Sequence, residues 1–226
     1  WLHPVEWARQ LVRDAVLKRG QQDTWGVVAA LVVGDQRAID RAQWEVFRIT
    51  GVAHLMSISG LHITMLAWLA AAVMGVCWRT SSRLCLWIPA PVAAAWVGLA
   101  VATAYALFSG WGLPAQRTIC MLATWTLLQH LGRRWPWTVQ WMLACAVVVA
   151  WDPWALMQAG FWLSFVAVGV LFAAGPNPTE QTPGPLRHLK NLWKEQWVVT
   201  LALTPLTLLL FGQVSWVGLL ANLVAI

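Results

Sequence analysis

The sequence has little charge, and its charged residues avoid long stretches of the chain. Only 11% of the 226 residues are charged, against 59% that are hydrophobic. A soluble domain of this length needs more charge to cover its surface, so the composition excludes an ordinary soluble protein. Asp, Glu, Lys and Arg are absent from runs 54–78, 84–116 and 196–226, and run 138–179 contains only Asp152. Each run can hold a helix of about 20 residues, the length that crosses a bilayer.

Common metal and nucleophile motifs are also missing. The four cysteines show no C-x-x-C spacing, so neither a zinc site nor a disulfide framework is indicated. The G-x-S-x-G turn of many serine hydrolases does not occur in the sequence. We therefore expect no metal, no cofactor and no enzymatic activity.

What the sequence has instead is a succession of apolar segments that predicts an all-α, polytopic membrane protein. Tryptophan, with 19 residues, recurs at the ends of these segments, where an amphipathic ring prefers the lipid headgroups. Six membrane spans are predicted, and a seventh apolar segment begins at Val214. The six spans cover residues 54–77, 84–108, 114–131, 137–151, 156–174 and 196–211.

The basic residues between the spans predict how the chain is oriented. Alternate connections carry seven of them, whereas the other connections carry only Arg117. Because cytoplasmic loops are enriched in Lys and Arg, we expect the basic side to face the cytoplasm and residues 1–50 to lie outside. The seven basic residues are Arg79, Arg83, Arg133, Arg134, Arg187, Lys190 and Lys194.

Residues 1–50 differ in composition and are predicted as a separate region ahead of a membrane domain at 51–226. The stretch "WARQLVRDAVLKR" places Trp7, Leu11 and Ala15 on one helical face, and "WGVVAALVVGD" follows after a turn. We interpret both stretches as interfacial amphipathic helices on the outer surface of the membrane. The alternative is that they dock on a soluble domain.

The first predicted span begins with the polar sequence "HLMSISGLHI". On a helix, His54 would share a face with Ser57, and Ser59 would share a face with His62. Gly60 allows a neighbouring segment to approach closely or the helix to break, and a broken helix in a membrane has to line a watery cavity or meet protein. The sequence therefore predicts a polar path at this point. A packing seam of small residues is the alternative interpretation.

The longer stretch "GVAHLMSISGLHITMLA" resembles the signature of the ComEC family, the membrane channel of bacterial DNA uptake. Three further stretches follow in the family's order: "LPAQRTICMLA", "AGFWLSFVAVGVL" and "LALTPLTLLLFGQVSWVGLLANLVAI". The resemblance covers nearly all of residues 27–226. It implies a channel for single-stranded DNA in the bacterial cytoplasmic membrane, with the lipid bilayer, other competence proteins and further copies of the chain as partners.

Family members also have an oligonucleotide-binding-type domain, usually a β-lactamase-like domain, and further spans. None of these is recognised in residues 1–226, so we expect the chain to be the central competence domain, truncated at its C-terminus. The polar residues of the spans are predicted to line the channel, and Arg117 to bind a DNA phosphate. The predicted lining residues are His54, Ser57, Ser59, Gly60, His62, Gln158, Ser164, Thr200, Thr204, Thr207 and Asn222.

The residues alone, without the family resemblance, also fit two other functions. A secondary transporter for protons or a small anion also uses polar, broken helices. An intramembrane serine hydrolase could use Ser57 or Ser59 with a histidine, but a Ser and a His three positions apart on one helix are poorly placed for proton transfer.

Overall fold

The computed structural model describes residues 4–18, 22–49, 58–132, 135–174 and 185–211. Within these ranges every regular element is a helix and no strand occurs, so the all-α prediction is confirmed for this part of the chain. Contacts divide the chain into two units, Trp1–Trp135 and Pro136–Ile226.

The first unit begins with three short helices and continues with four more. Helices α1, α2 and α3 span Pro4–Leu17, Gln22–Val33 and Arg41–Ile49, with a 3₁₀ turn at Gln36–Ala38. Helices α4, α5, α6 and α7 span Gly60–Arg79, Ser82–Trp87, Ala90–Phe108 and Leu113–His130. Helices α4, α6 and α7 contact one another pairwise and enclose the core of this unit. That core consists of Ile63, Ala67, Ala102, Ala106, Ala115 and Ile119.

Small residues bring α4 and α6 into close contact. A Cβ atom added at Gly98 of α6 would lie 2.6 Å from the carbonyl oxygen of Ala67 of α4. Gly75 of α4 is less crowded, because its Cβ would lie 3.7 Å from the methyl group of Ala94. Association of membrane helices depends on such backbone approach at small residues, since lipid supplies no hydrophobic driving force between helices.

Helices α1 and α2 pack on the C-terminal end of α6. The hydroxyl of Tyr105 donates to the Leu31 carbonyl over 2.7 Å, and Nε of Arg9 donates to the Val33 carbonyl over 2.8 Å. Gly34, with a φ of +72°, lies directly against the Ser109 carbonyl, where a Cβ atom would clash. The N-terminal helices and the loop that joins α6 to α7 therefore lie at the same end of the unit.

The second unit contains helices α8, α9 and α10, at Trp137–Trp151, Ala159–Ala174 and Pro185–Phe211. A 3₁₀ turn at Pro153–Met157 joins the first two. The indole of Trp141 donates to the Phe165 carbonyl over 2.9 Å, and Phe165 packs on Phe161 with ring centroids 4.6 Å apart. Helix α10 packs against α9.

Four of the six predicted spans correspond to single helices that begin and end within six residues of the expected positions. The span predicted at 84–108 is divided, because α5 ends at Trp87 and α6 begins after Pro89, whose ring fixes the backbone for a new helix start. The helix expected at 196–211 begins earlier, at Pro185, since the charged turns ahead of the apolar run are helical as well.

Two helices of the described part, Gly60–Arg79 and Ala90–Phe108, are long and apolar enough to cross a membrane. Three apolar helical segments are shorter, at Trp137–Trp151, Ala159–Ala174 and Trp197–Leu210. Helix α7 has 18 residues but carries more polar side chains than these.

Candidate functional site

Helix α4 begins inside the polar motif, and the motif itself supplies its cap. Ser59 has an extended backbone, with φ −104° and ψ 166°, and precedes the first helical residue, Gly60. The Ser59 N–H donates to Nδ1 of His62 over 3.3 Å, in the manner of a capping box. This bond satisfies an amide that would otherwise lose water without compensation.

The same histidine nitrogen lies 2.9 Å from the Ser59 hydroxyl oxygen. Because Nδ1 accepts from the Ser59 amide, the proton of a neutral imidazole lies on Nε2. The ring thus presents an N–H donor on its other side. Ser59 and His62 do bond to each other, as their spacing predicts, but Ser59 is not a position on the helix, because it lies just before the first helical residue.

That correction removes one argument against a serine nucleophile, because the hydroxyl does contact the imidazole. The contact is nevertheless explained by helix capping, because the bond from the Ser59 amide to Nδ1 brings the imidazole next to the Ser59 hydroxyl. In the described ranges, no group of three or more His, Cys, Asp and Glu side chains is placed to hold a metal ion.

Gly60 lies against α7, and the contacting residue is Thr118. A Cβ atom at Gly60 would lie 2.6 Å from Oγ1 of Thr118, closer than real Cβ contacts. The Thr118 hydroxyl donates to the Pro114 carbonyl over 2.9 Å and so presents its lone pairs towards the glycine. The first turns of α4 and α7 therefore meet at a polar contact that only glycine permits at residue 60.

Arg117 precedes Thr118 on α7 and is buried, with 8% of its surface exposed. An arginine facing lipid at mid-membrane is costly, by about 2.5–3.5 kcal/mol, and membrane proteins turn such residues towards protein or water. The structure thus places Arg117 within the first unit, one residue from the Gly60 contact, and not on an outer surface. Two more polar residues of α7, Thr124 and Thr126, are also buried.

Sequence reasoning missed these three threonines. Thr118 lies in a family-like stretch, four residues after Pro114, but its partner Gly60 is 58 positions away and no spacing rule connects the two. The signal that was present is the recurrence of hydroxyl residues on α7 beside the one arginine of that stretch.

The predicted residues Gln158 and Ser164 lie in the second unit. The Gln158 amide contacts Oδ2 of Asp152 over 3.4 Å, while Oδ1 of Asp152 accepts the Trp154 N–H over 3.0 Å. This carboxylate caps the 3₁₀ turn, so its bonding is structural. Ser164 is half-buried on α9.

The threonine face of α10 is occupied by bonds within the helix. Thr204 donates to the Thr200 carbonyl over 2.7 Å, and Thr207 donates to the Thr204 carbonyl over 2.9 Å. Pro205 lies between them and has no N–H for the Leu201 carbonyl. The hydroxyl protons are thus used, and the face offers oxygen acceptors. His54, Ser57 and Asn222, which were also predicted to line the path, lie outside the described residues.

A comparison with models of known protein families gives the same family as the sequence motifs. Residues 31–226 match the family model described as Competence protein. The chain belongs to this competence protein family. The resemblance found in the sequence motifs is thereby confirmed.

Curated relatives agree with the family model. The chain is 39% identical over 166 residues to "Competence protein ComA" of Neisseria gonorrhoeae, and this alignment covers 72% of the chain and 23% of that protein. It is 34% identical over 206 residues to "Uncharacterized protein YcaI" of Escherichia coli, and this alignment covers 88% of the chain and 26% of that protein. It is 28% identical over 213 residues to "Recombination protein 2" of Haemophilus influenzae, covering 89% and 26%. The chain thus spans about a quarter of each relative, and no solved structure matches it significantly.

Proposed function

We propose that this chain forms a membrane channel that conducts single-stranded DNA inward across the bacterial cytoplasmic membrane during competence. The family supports a role in competence, and two described helices are apolar enough to cross a membrane. In the proposed arrangement the chain crosses the membrane six to seven times, with the basic connections in the cytoplasm. Other competence proteins and further copies of the chain are its proposed partners.

The polar contact between α4 and α7 carries the proposal. A strand with one charge per nucleotide needs a wet path lined by donors, and not so much positive charge that it stays bound. His62, two residues after Gly60, carries a ring N–H donor, and Arg117 supplies one cation next to Thr118. A membrane domain without a polar cargo has no reason to concentrate these costly groups at one end of two helices.

The threonines of α10 contribute less to anion binding in this proposal. The hydroxyls of Thr204 and Thr207 donate to backbone carbonyls, so the groups they present to a phosphate are oxygen atoms, which repel it. We expect them to bind water along the path.

The packing of the N-terminal helices supports the proposed orientation. Tyr105 and Arg9 hold α2 and α1 at the end of α6 where the 109–112 loop lies. The distribution of basic residues predicts that this loop and residues 1–50 lie on the outer side. The two assignments therefore agree on one side of the membrane.

Replacing Gly60 by leucine tests the channel. A side chain there collides with Thr118, so we expect Gly60→Leu to abolish DNA import. Gly112→Leu is the matched control, because a Cβ at Gly112 meets only the Pro114 ring, at 3.8 Å, and import should persist. The measurement is nuclease-protected labelled DNA inside a transformable host whose own gene is replaced by the full-length variant. If a well-expressed Gly60→Leu protein imports as much DNA as the parent, the motif does not lie in the path.

Arg117→Ala should reduce import without abolishing it, because one of several phosphate contacts is lost. Arg117→Lys keeps the charge and should retain most of the import. Equal loss in both variants would indicate that Arg117 only holds the fold, and the phosphate assignment would then be wrong.

A serine-directed covalent probe separates the channel from a hydrolase. The channel proposal expects no labelling of Ser59, whose hydroxyl belongs to the helix cap. Labelling of Ser59 together with loss of a hydrolytic activity in Ser59→Ala would reverse the assignment.

A further inference from the structure

A second polar feature lies away from the Gly60 contact, in the N-terminal helices. Between α1 and the turn that follows α2 there is a cavity of about 420 Å³. Three arginines and two carboxylates line it: Arg9, Arg13, Arg37, Glu6 and Asp35.

Two of the arginines are held in place by bonds that use only part of each guanidinium. Arg9 donates through Nε to the Val33 carbonyl over 2.8 Å, and Arg13 pairs through Nε with Oδ2 of Asp35 over 2.6 Å. A guanidinium has five N–H donors, so each retains terminal N–H groups that can bind another acceptor. Oδ1 of Asp35 also accepts the backbone N–H of Arg37 over 3.2 Å. This bond fixes the start of the turn that carries the third arginine.

The charge of the cavity suits one phosphodiester group. Three arginines against two carboxylates leave a single positive charge. Terminal guanidinium N–H groups match the two anionic oxygens of a phosphodiester, and one net charge balances one such group. A site of this strength can bind a strand and release it, which a path for a moving strand requires.

The position of the cavity links it to the candidate path. The Arg9 guanidinium lies against Gly110, where a Cβ would be 2.8 Å from its terminal nitrogen. Gly110 belongs to the loop that leads directly into α7, whose first turns carry Arg117 and Thr118. The cavity and the Gly60 contact are therefore at the same end of the first unit.

The faces of α1 favour a polynucleotide over a lipid headgroup. Residues 6, 9, 10 and 13 line the cavity and share one helical face. The exposed apolar residues Trp7 and Leu11 lie on another face, about a third of a turn or more away. A lipid surface would contact α1 at Trp7 and Leu11, which leaves the arginine face directed elsewhere.

We propose that this cavity binds the phosphodiester backbone of single-stranded DNA ahead of the Gly60 contact. The inference rests on the proposed DNA-conducting function and adds an outer binding site to it. Its test is binding by the full chain, purified in phosphatidylcholine nanodiscs, to a fluorescent single-stranded oligonucleotide over a range of salt concentrations.

Arg37→Gln should weaken binding about fivefold at about 0.1 M salt, and lower the slope of log Kd against log salt by about 0.7, the change for one lost contact on a single strand. Lys18→Gln removes the same charge from the end of α1, outside the cavity, and should bind like the parent. Equal effects of the two substitutions would overturn the proposal, since charge alone would explain them.

Glu6→Gln provides a test that misfolding cannot imitate, because it should tighten binding. It raises the net charge of the cavity from one to two, whereas Asp14→Asn removes an acidic charge from α1 outside the cavity and should have no effect. Unchanged or weaker binding by Glu6→Gln would contradict the site. Competition by soluble short-chain phosphatidylglycerol at least as strong as by an unlabelled oligonucleotide would assign the cavity to lipid and overturn the proposal.

The outcome is separable from that of the channel experiment. If the Arg37 and Glu6 variants bind like the parent while Gly60→Leu still abolishes import, the cavity is not a DNA site and the channel stands. If Gly60→Leu imports normally while Arg37→Gln loses affinity, the cavity binds DNA and the path lies elsewhere.

Discussion

Helices α4 and α7 are in contact and nearly equal in length, yet they distribute polarity in opposite ways. The exposed side of α4 is formed by large apolar residues, and its buried residues are Ile63 and Ala67. Helix α7 instead buries polar residues, among them Arg117, Thr118 and Thr126. The exposed apolar residues of α4 are Leu61, Met65, Trp68, Leu69, Val73 and Val76.

This difference indicates where lipid and where protein lie around each helix. In water, an exposed apolar stripe of this size would be an aggregation hazard, whereas in a bilayer it is the ordinary lipid-facing side. Buried hydroxyl and guanidinium groups are the opposite case, since they avoid lipid and need partners or water. We therefore propose that α4 lies at a lipid boundary of the first unit and that α7 turns its polar residues inward, while Trp125 and Leu127 of α7 remain exposed.

The largest effect is expected from a charge on the apolar side of α4. Leu69 is 53% exposed near the middle of the helix, and Leu69→Arg should cost about 2.5–3.5 kcal/mol of membrane insertion. Leu11 is 52% exposed on α1, at the predicted membrane surface, and Leu11→Arg should cost far less. Alkaline extraction of membranes measures both. Equal retention of the two variants would mean that lipid does not cover α4.

The next largest effect concerns the α4–α6 contact that supports this boundary. Gly98→Ala forces a Cβ against the Ala67 carbonyl and should destabilise the protein by about 1–3 kcal/mol. Gly75→Ala meets only a methyl group at ordinary distance and should be neutral or slightly stabilising. Unfolding followed by tryptophan fluorescence gives both values. A neutral Gly98→Ala would show that the helices are farther apart in the membrane.

A double-mutant cycle examines the polar contact between the two helices. Gly60→Ala should destabilise the parent, because the new methyl group meets Oγ1 of Thr118, but should cost less when residue 118 is alanine. Residues in direct contact typically couple by about 0.5–3 kcal/mol. The cycle uses the free energies of unfolding of the parent, both single variants and the double variant. Additive costs would show that α4 and α7 do not meet there.

The smallest effect is expected where the N-terminal helices join α6. Tyr105→Phe removes the bond to the Leu31 carbonyl and should cost about 1 kcal/mol, with faster proteolysis of residues 1–50. Thr103→Ala on the same helix removes a hydroxyl that bonds only within α6, to the Leu99 carbonyl over 2.8 Å. Its N-terminal region should be cleaved at the parental rate. If both variants are cleaved faster than the parent, the cause is a change in α6 and not the loss of the Tyr105 bond.

Hydrophobic runs predicted most helix positions, because a span must be apolar along its length. They failed where helix formation does not depend on apolarity. Pro89 divides a continuous apolar run, and the charged residues after Pro185 extend α10 beyond its apolar part. The "IPAP" sequence contained the signal for the first of these, since proline begins a helix more readily than it continues one.

The candidate site was predictable only where its partners are close in sequence. Ser59 and His62 were paired by spacing, although as a helical face and not as a cap. The contact of Gly60 with Thr118 depends on the packing of α4 against α7, and a single sequence read by itself contains no rule for it. Likewise, the cavity of Arg9, Arg13 and Arg37 requires α1 to fold back on the turn after α2.

The cap at Ser59 also bears on how the protein is made. Because Ser59 and His62 bond to each other, the cap of α4 uses no later part of the chain. In the proposed arrangement, α4 enters the bilayer while the ribosome is still adding α6 and α7. Thr118 is synthesised 58 residues after Gly60 and docks on a helix end that is already formed. In the proposed membrane arrangement, the apolar helix α4 is thus made before the helix whose polar residues pack on it.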